Sequence, residues 1–453
     1  MKINIQLDEQ KRHDDGLADI EIEIPDIGVS RRLDLSFAEL FNHCRVPDET
    51  VLDFLIVGSL VYVADKTIPR SRSFDFWTRE IEIEFPVGDP VLWSGVSDIL
   101  EETLNFLTGD TWKFSFRKRN NSLFVQPSRE RKRRPLPQKL ENIVAVSSLS
   151  GGTDSLTGAL DLLEKNNRGA VHLIGHYDAP GAKKAQQKLF EAIRSTYAEK
   201  ANLTQVRVSH RPLKAKEATL RSRSLVFMAI GIFAARAAGP EIPVFMPENG
   251  FIAMNLPLTP ARVGSCSTRT MHPFYLNSLR KTLVGLGIHN PIVNPLELKT
   301  KGECIAESSN FGLLRSIIGE TVSCSHGTRK QHWIRRTKEI RNCGYCVPCI
   351  VRRAGMHKAG LDNGHTYGLD LCVGEIKASD ETDRANDLRA IINAVVQNRS
   401  VGEIQREIIT VASVDRLTER AGMIKRGIEE VTIFLNEKGN EQVRRSISPN
   451  KMI

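Results

Sequence analysis

Short stretches near the start of the chain alternate between apolar and acidic residues. Segments 20–24 and 81–85 place an apolar side chain at every second position, with acids between them. A period of two residues is that of a strand with one buried face. The opening segment 1–7 and the segment 112–116 are further predicted strands.

Two helices are predicted among these strands. The apolar segment 48–64 begins at Asp48, a residue type that caps helix N-termini, and segment 92–107 has apolar residues at helical spacing. These elements together predict an α+β domain over residues 1–116. The domain carries no catalytic constellation, so we expect it to bind a partner or to act as a scaffold.

The middle of the chain alternates between β-rich and helical patterns. Short β-rich runs occur at 143–149, 170–175, 205–209 and 244–246, with helical patterns between them. Such alternation is typical of an α/β domain in which a doubly wound parallel sheet carries helices on both faces. Ligands of such sheets bind at the carboxyl ends of the strands. We predict this domain over residues 141–377.

The last part of the chain has a helical pattern only. Helices are predicted at 382–397, 401–411 and 414–436, within a C-terminal helical region over 378–453. The final residues, 443–453, are predicted to be a frayed tail.

Residues 117–140 are predicted to be a basic linker between the first two domains. Eight basic residues and one acid lie between Arg117 and Arg134, while the whole chain of 453 residues has a net charge of +9. Such a run can bind nucleic acid, but it is more often a solvated linker or a surface for an acidic partner. Nucleic acid is therefore the less favoured partner.

No apolar run is long enough to cross a bilayer, and the longest, 54–64 and 225–235, fit buried core helices. The first residues read as a strand and not as a signal peptide, so a cytoplasmic protein without a membrane partner is expected. Eight cysteines in a chain of this length are too few for a disulfide scaffold.

The strongest chemical signal is a glycine turn between a predicted strand and a predicted helix. It consists of Ser150, Gly151, Gly152, Thr153, Asp154 and Ser155. Two adjacent glycines allow backbone amides to approach an anion closely, and the following helix N-terminus favours phosphate. The hydroxyls of Ser150, Thr153 and Ser155 can add donors. Asp154 is expected to cap the loop or to hold Mg²⁺.

The second signal is a cysteine cluster near residue 346. Cys343, Cys346 and Cys349 are spaced by two residues, and Cys324 lies nineteen positions before Cys343. Four thiolates at such spacing can close a tetrahedral Zn²⁺ site, which would staple a loop of low apolar content. An iron–sulfur cluster and four unrelated thiols are the alternatives, and His326 or His332 could replace one ligand. The intervening segment 329–341 is strongly basic and could cover the active site.

The glycine turn resembles the SGGxDS signature of the PP-loop ATP pyrophosphatases, whose fold is the HUP-like adenine nucleotide α-hydrolase fold. In that family the loop binds the phosphates of ATP, which is cleaved to AMP and pyrophosphate. Together with the late cysteine cluster, the turn is similar to the QueC family of 7-cyano-7-deazaguanine synthases. Segments 294–296, 299–303, 323–324 and 349–353 match further motifs of that family. The resemblance covers residues 141–360, about half of the chain.

The chain also departs from the QueC pattern. QueC enzymes are about half as long and lack a domain like residues 1–116, and their first zinc ligand lies closer to the CxxCxxC run. The segment 267–273 stands where QueC has an acidic substrate loop, and an acid is lost there while basic groups are gained. Substrate recognition or the second half-reaction is therefore expected to differ.

The whole pattern is most similar to the QueC-like proteins of bacterial antiphage islands, in particular the QatC type of the four-gene Qat system. This resemblance implies that ATP activates a 7-deazaguanine carboxylate as an adenylate, which is then joined to an amine on a partner protein of the same operon. ATP, Mg²⁺ and Zn²⁺ are the implied cofactors, and a deazaguanine is the implied small-molecule substrate.

Several further residues are candidates for the site. Lys301 matches a family position and is expected to neutralise developing negative charge, and Arg223 matches a family arginine near the nucleotide. Glu248 or Asn249, after the strand 244–246, could read a guanine-like edge. The remaining candidates are His176 and Tyr177, expected to flank adenine, and Thr270 and His272 from the substrate-loop segment.

Three other functions remain open at this point. The chain could be a 7-cyano-7-deazaguanine synthase that uses ammonia, or a tRNA-modifying PP-loop enzyme that binds RNA through its basic run. A thiolase of the latter kind would need cysteines free of metal. The chain could also be a non-catalytic scaffold that binds nucleotide.

Overall fold

Ten strands form one continuous sheet in the computed structural model, which describes residues 1–44, 48–125, 142–213, 217, 219–259, 269–326 and 342–448. The strands are β1 (Lys2–Arg12), β2 (Ala18–Ile24), β3 (Val29–Leu35), β4 (Glu80–Val87), β5 (Thr111–Lys118), β6 (Ile143–Ser148), β7 (Ala170–Tyr177), β8 (Ala201–Arg211), β9 (Val244–Phe245) and β10 (Ile292–Val293). Their order across the sheet is β10-β9-β6-β7-β8-β3-β2-β1-β4-β5. The predicted α/β class with a large, mostly parallel sheet is confirmed.

Sixteen α-helices accompany the sheet in the described part of the chain. The first eight are α1 (Phe37–Cys44), α2 (Glu49–Thr67), α3 (Pro90–Ser94), α4 (Ser97–Thr108), α5 (Thr153–Lys165), α6 (Pro180–Tyr197), α7 (Arg223–Ala238) and α8 (Gly250–Met254). The others are α9 (Pro273–Gly285), α10 (Lys301–Ala306), α11 (Phe311–Ile317), α12 (Val347–Lys358), α13 (Asp383–Gln397), α14 (Val401–Val411), α15 (Leu417–Lys438) and α16 (Glu441–Ile447).

The sheet runs across the predicted boundary between the first two domains. Strands β6 to β10 are parallel to their neighbours, as predicted, but β8 also pairs antiparallel with β3 of the N-terminal part. The domain limits 1–116, 117–140, 141–377 and 378–453 stay predictions, and the pairing of β3 with β8 joins the first and third of these units into one sheet.

Helices α2 and α7 pack against each other in antiparallel orientation. Asp48, which caps α2 as predicted, bonds Arg236 near the end of α7 at 3.0 Å. At mid-helix a Cβ on Gly58 would lie only 3.3 Å from the Cβ of Ala229, so the glycine permits the close approach. Both helices are buried along most of their length, and they join the N-terminal part to the parallel strands.

Two predicted elements are corrected by the structure. The helix expected over 92–107 is two helices, α3 and α4, which are separated at Gly95–Val96, and Asp89 caps α3 with Pro90 at its first turn. The first residues of the predicted frayed tail, 443–447, belong to helix α16, whose N-cap is Asn440. Val443 of this helix is buried in the C-terminal core, which explains why the helix forms.

The basic segment 117–140 is only partly described. Arg117 and Lys118 end β5, and the buried Arg119 pairs with Glu49 and with Asp53, at 2.5 Å from the latter. These first basic residues therefore belong to the fold, while residues 126–141 lie outside the described residues.

A second core lies between the C-terminal helices and the cysteine region, and it contains Cys343, Phe251 and Phe434. Among the described helices, none is long and apolar enough to cross a membrane.

Candidate functional site

The glycine turn connects β6 to α5 at the carboxyl end of the parallel strands. Gly151 has a φ of 94°, in the left-handed region that favours glycine. The amide of Ser150 donates to the Ser155 hydroxyl at 3.1 Å, and that hydroxyl donates to the carbonyl of Gly152 at 3.0 Å. These bonds fold the loop over the start of α5, whose first-turn amides have no partner within the helix. Turns that precede a helix N-terminus are in general suited to binding anions.

Thr153 anchors the loop to the protein instead of pointing its hydroxyl towards a ligand. Its side chain is fully buried, and its Oγ1 lies 3.0 Å from Thr321 Oγ1 and also accepts a hydrogen bond from Arg352 of α12. The Thr153 amide donates to Ser323 Oγ at 3.2 Å. The hydroxyl was expected to bind phosphate, but a buried guanidinium needs acceptors and takes this one.

Asp154 accepts hydrogen bonds from two other predicted site residues, Lys301 and Asn249. Its Oδ1 accepts from Lys301 Nζ at 2.6 Å, and its Oδ2 accepts from Asn249 Nδ2 at 2.8 Å and from the Asn249 amide at 3.2 Å. Lys301 is almost completely buried, with 5% of its side chain exposed. A carboxylate and an ammonium thus meet beside the first turn of α5.

Glu248 lies in the turn that follows β9. Thr270 Oγ1 lies 3.1 and 3.0 Å from its two carboxylate oxygens, and Asn294 bonds both its amide and its carbonyl. Burial, and next the charge of Asp154, raise the pKa of Glu248 to about 7. The group can therefore change its protonation state near neutral pH.

Asn249 and His272 are occupied by protein contacts. Asn249 caps α8 through its side-chain oxygen, which accepts from the Ile252 amide at 3.2 Å, and its Nδ2 donates to Asp154. His272 caps α9 by accepting from the Phe274 amide at 3.2 Å, and burial lowers the pKa of His272 to about 3. Both side chains are at most 1% exposed. Of Glu248 and Asn249, the two residues predicted to read a guanine-like edge, only Glu248 therefore stays a candidate.

His176 and Arg223 form a pair at the end of β7. His176 Nδ1 accepts from Arg223 Nε at 3.2 Å, and its Nε2 lies 3.1 Å from the carbonyl of Val208. Burial, then the charge of Arg223, lower the pKa of His176 to about 3, so the ring is neutral. His176 is fully buried, and only Tyr177 is exposed enough to flank a ligand.

The structure confirms the predicted cysteine cluster in part, because Cys324, Cys343 and Cys346 lie together with their sulfurs close to one another. The Sγ atoms of Cys343 and Cys349 are 3.7 Å apart, and those of Cys346 and Cys324 are 3.9 Å apart. Four sulfurs around a tetrahedral zinc, at Zn–S distances of about 2.3 Å, lie about 3.8 Å from one another. A metal-binding cysteine cluster is thus confirmed as a geometric possibility.

His326 stands beside these thiols. The ligand atoms of Cys324, His326, Cys343 and Cys346 all lie within 4.8 Å of one another. This donor set of three cysteines and His326 fits zinc, while the predicted set of four cysteines with Cys349 stays a prediction. His332, the other candidate, and the basic segment 329–341 lie outside the described residues.

Several residues of this region are missing from the sequence-based site. Arg352, Thr321 and Ser323 hold the loop from behind, and Asn294 holds the Glu248 turn. A signal existed for Arg352 and Ser323, because both lie within motifs that accompany the cysteines. No sequence signal pointed to Thr321.

No family model, curated protein or solved structure matches the chain.

Proposed function

We propose that the chain uses ATP to activate a 7-deazaguanine carboxylate and joins the acyl group to an amine of a partner protein, in antiphage defence. The observation that carries the proposal is the meeting of Asp154 and Lys301 beside the glycine turn. This arrangement puts a fixed cation next to a site suited to phosphate.

The proposed reaction has two steps. A carboxylate oxygen attacks the α-phosphorus of ATP, so that an acyl–adenylate forms and pyrophosphate leaves. The amine then attacks the acyl carbon, loses a proton, and AMP leaves with the former carboxylate oxygen. The product is a stable amide, and no second ATP is needed.

The loop from Ser150 to Ser155 is proposed to bind the phosphates through its backbone amides, except those of Ser150 and Thr153, which bond Ser155 and Ser323. Lys301 is held in place by Asp154, and an ammonium of restricted motion can stabilise charge that develops on the phosphates. Arg223, at the neighbouring strand end, is proposed to add a second positive charge.

Glu248 is proposed to act on the acceptor side. Its pKa of about 7 suits a group that takes a proton from an attacking amine near neutral pH. Thr270 keeps the carboxylate in position.

Two metal ions belong to the proposal. Asp154 offers oxygen ligands of the kind that Mg²⁺ prefers, and the ion would neutralise phosphate charge there. Zn²⁺ would be held by the cysteine cluster, where its role would be structural.

Release of pyrophosphate from Mg·ATP, with 7-carboxy-7-deazaguanine and the operon partners present, tests the proposal. We expect turnover with the natural chain and loss of at least a hundredfold in Asp154→Asn, because Lys301 and Asn249 lose their anionic partner. Asp161→Asn is the matched control, since Asp161 lies on the same helix but bonds Ser308 and Ser309.

The control should keep near-natural turnover. Absence of pyrophosphate from the natural chain under all these conditions would favour the scaffold alternative. Equal turnover of Asp154→Asn and the natural chain would contradict the role of the loop.

A further inference from the structure

A second polar cluster lies beside the glycine turn and is built partly by the N-terminal part of the chain. Lys66, near the end of α2, donates to Asp178 Oδ2 at 2.7 Å and to the hydroxyl of Tyr62 at 3.2 Å. The Tyr62 hydroxyl donates to the same Asp178 oxygen at 2.9 Å. Asp178 directly follows β7, so the cluster stands at the carboxyl end of the parallel strands.

The cluster is continuous with the His176–Arg223 pair. The rings of Tyr62 and His176 meet edge to face, with their centroids 5.4 Å apart. Gln186 connects His176 to the glycine turn, because its Nε2 donates to the His176 carbonyl at 2.9 Å and lies 3.4 Å from the Ser150 carbonyl. Lys66 thus belongs to the same edge of the sheet as the proposed phosphate loop.

The backbone beneath this cluster is rigid. The fully buried Asp65 accepts hydrogen bonds from the amide of Ser222 at 3.3 Å and from its hydroxyl at 2.6 Å, so the end of α2 caps the start of α7. The close contact of Gly58 with Ala229 fixes the two helices against each other. Lys66 and Arg223 are therefore held near each other by two packed helices.

The charges of the cluster do not balance. Lys66 and Arg223 carry positive charge, and both act on Asp178. His176 is neutral, since burial lowers its pKa to about 3. Asp178 is the one carboxylate among these groups, and although burial opposes its ionisation, Lys66 and then Arg223 hold the pKa of Asp178 well below its usual range.

The cluster is also reachable from solvent. About 16% of the Lys66 side chain and 14% of the Asp178 side chain are exposed, and Arg223 is half-buried. Partly buried cations in excess of their counter-ions favour an anionic ligand, because solvent screens them less than it screens a surface lysine.

We propose that Lys66 of α2, together with Arg223, forms an oxyanion subsite next to the glycine turn. Its ligand is a phosphate or a carboxylate, and Asp178 and Tyr62 position the ammonium for it. The N-terminal part of the chain would then complete the ligand site as well as contact partners. The inference deepens the proposed function and depends on it only for the choice of organic ligands.

Calorimetric titrations test the subsite directly. Inorganic pyrophosphate, Mg·ATP and 7-carboxy-7-deazaguanine are titrated separately into the full chain, into Lys66→Met and into Lys66→Arg. Hydrogen bonds to charged groups support a loss of about tenfold in affinity for at least one of the three in Lys66→Met. Lys66→Arg, which keeps the charge, should recover most of that loss.

The pattern of losses identifies the source of the oxyanion. Weaker binding of pyrophosphate or Mg·ATP indicates phosphate, and a loss confined to the deazaguanine acid indicates carboxylate. Lys113→Met is the matched control and should bind all three ligands normally. Lys113 is not part of the cluster, and its Nζ pairs with Glu101 Oε2 at a distance of 3.0 Å. If Lys66→Met fails to fold, Lys66→Gln combined with Asp178→Asn removes both charges and should show the same loss.

Equal affinities of the natural chain and Lys66→Met for all three ligands would overturn the subsite, as would a natural chain that binds none of them. Pyrophosphate release judges the proposed function separately. If pyrophosphate is released but Lys66→Met binds all three ligands as tightly as the natural chain, only the subsite is refuted. If ligand binding depends on Lys66 but no pyrophosphate is released, only the reaction is refuted.

Discussion

Glu248 illustrates how one residue acquires chemistry from its surroundings. Its carboxyl group is removed from water and lies near the negative Asp154, and both effects favour the protonated form. The hydroxyl of Thr270 opposes them in part by bonding the carboxylate. A site that must accept a proton near neutral pH requires such a balance.

Because the pKa of Glu248 is raised to about 7 in the folded protein, this group stabilises the fold at low pH, and the stabilisation is lost as the pH rises through 7. Glu248→Gln replaces the ionisable carboxyl with a neutral amide, so the variant does not lose this stability as the pH rises. We expect the variant to match the natural chain at pH 5 and to exceed it at pH 8 by on the order of 2 kcal/mol, seen as a higher melting temperature.

Glu102→Gln, at an exposed position of α4, is the control and should follow the natural chain at both pH values. Parallel stability curves for Glu248→Gln and the natural chain would show that the carboxyl is solvated and has an ordinary pKa.

The sequence predicted which residues meet at the loop better than it predicted what each does. Asp154, Lys301, Glu248 and Thr270 are brought together, although they are spread over more than a hundred positions. The burial of Thr153 could not be predicted, because it depends on a hydrogen bond from Arg352. That residue lies on a helix about two hundred positions later in the sequence.

At the scale of elements, the cysteine loop and helix α12 form one unit. Gly344 has a φ of 88°, and a Cβ there would lie 2.0 Å from the carbonyl oxygen of Leu369, so only glycine fits. Cys346 stands at the N-cap of α12, and Arg352, further along that helix, holds the loop at Thr153. A metal in the cluster would therefore also stabilise the glycine turn through α12.

The purified chain is expected to contain about one zinc ion, which Cys346→Ser should lose because both candidate ligand sets include Cys346. Metal analysis by mass spectrometry measures this, and the melting temperature should fall with the metal. Cys372→Ser is the control, since Cys372 is a free thiol outside the cluster. Full zinc content in Cys346→Ser would refute the centre.

The start of α2 was predictable from Asp48, whereas the break between α3 and α4 was not. Asp48 carries a local capping signal that can be read directly. The apolar spacing of 92–107 continues through Gly95, so the pattern hides the interruption. Local signals identify helix starts, and tertiary packing decides how far a helix continues.

At the scale of the whole molecule, the pairing of β3 with β8 has the largest consequence. Leu33 lies opposite His210 in this register, across a separation in sequence that no short-range pattern encodes. The parallel arrangement of β6 to β9 followed from strand and helix alternation alone. The sequence therefore predicted the parallel strands that carry the loop and several N-terminal strands, but not the pairing of β3 with β8 that joins them into one sheet.

The claim on which the whole account depends is that the glycine turn binds the triphosphate of ATP. A crystal structure of the chain with a non-hydrolysable ATP analogue and Mg²⁺ tests it most directly. We expect the phosphates against the backbone amides of residues 151–155, with the ammonium of Lys301 nearby. A triphosphate bound elsewhere, with the turn empty or closed, would contradict the account.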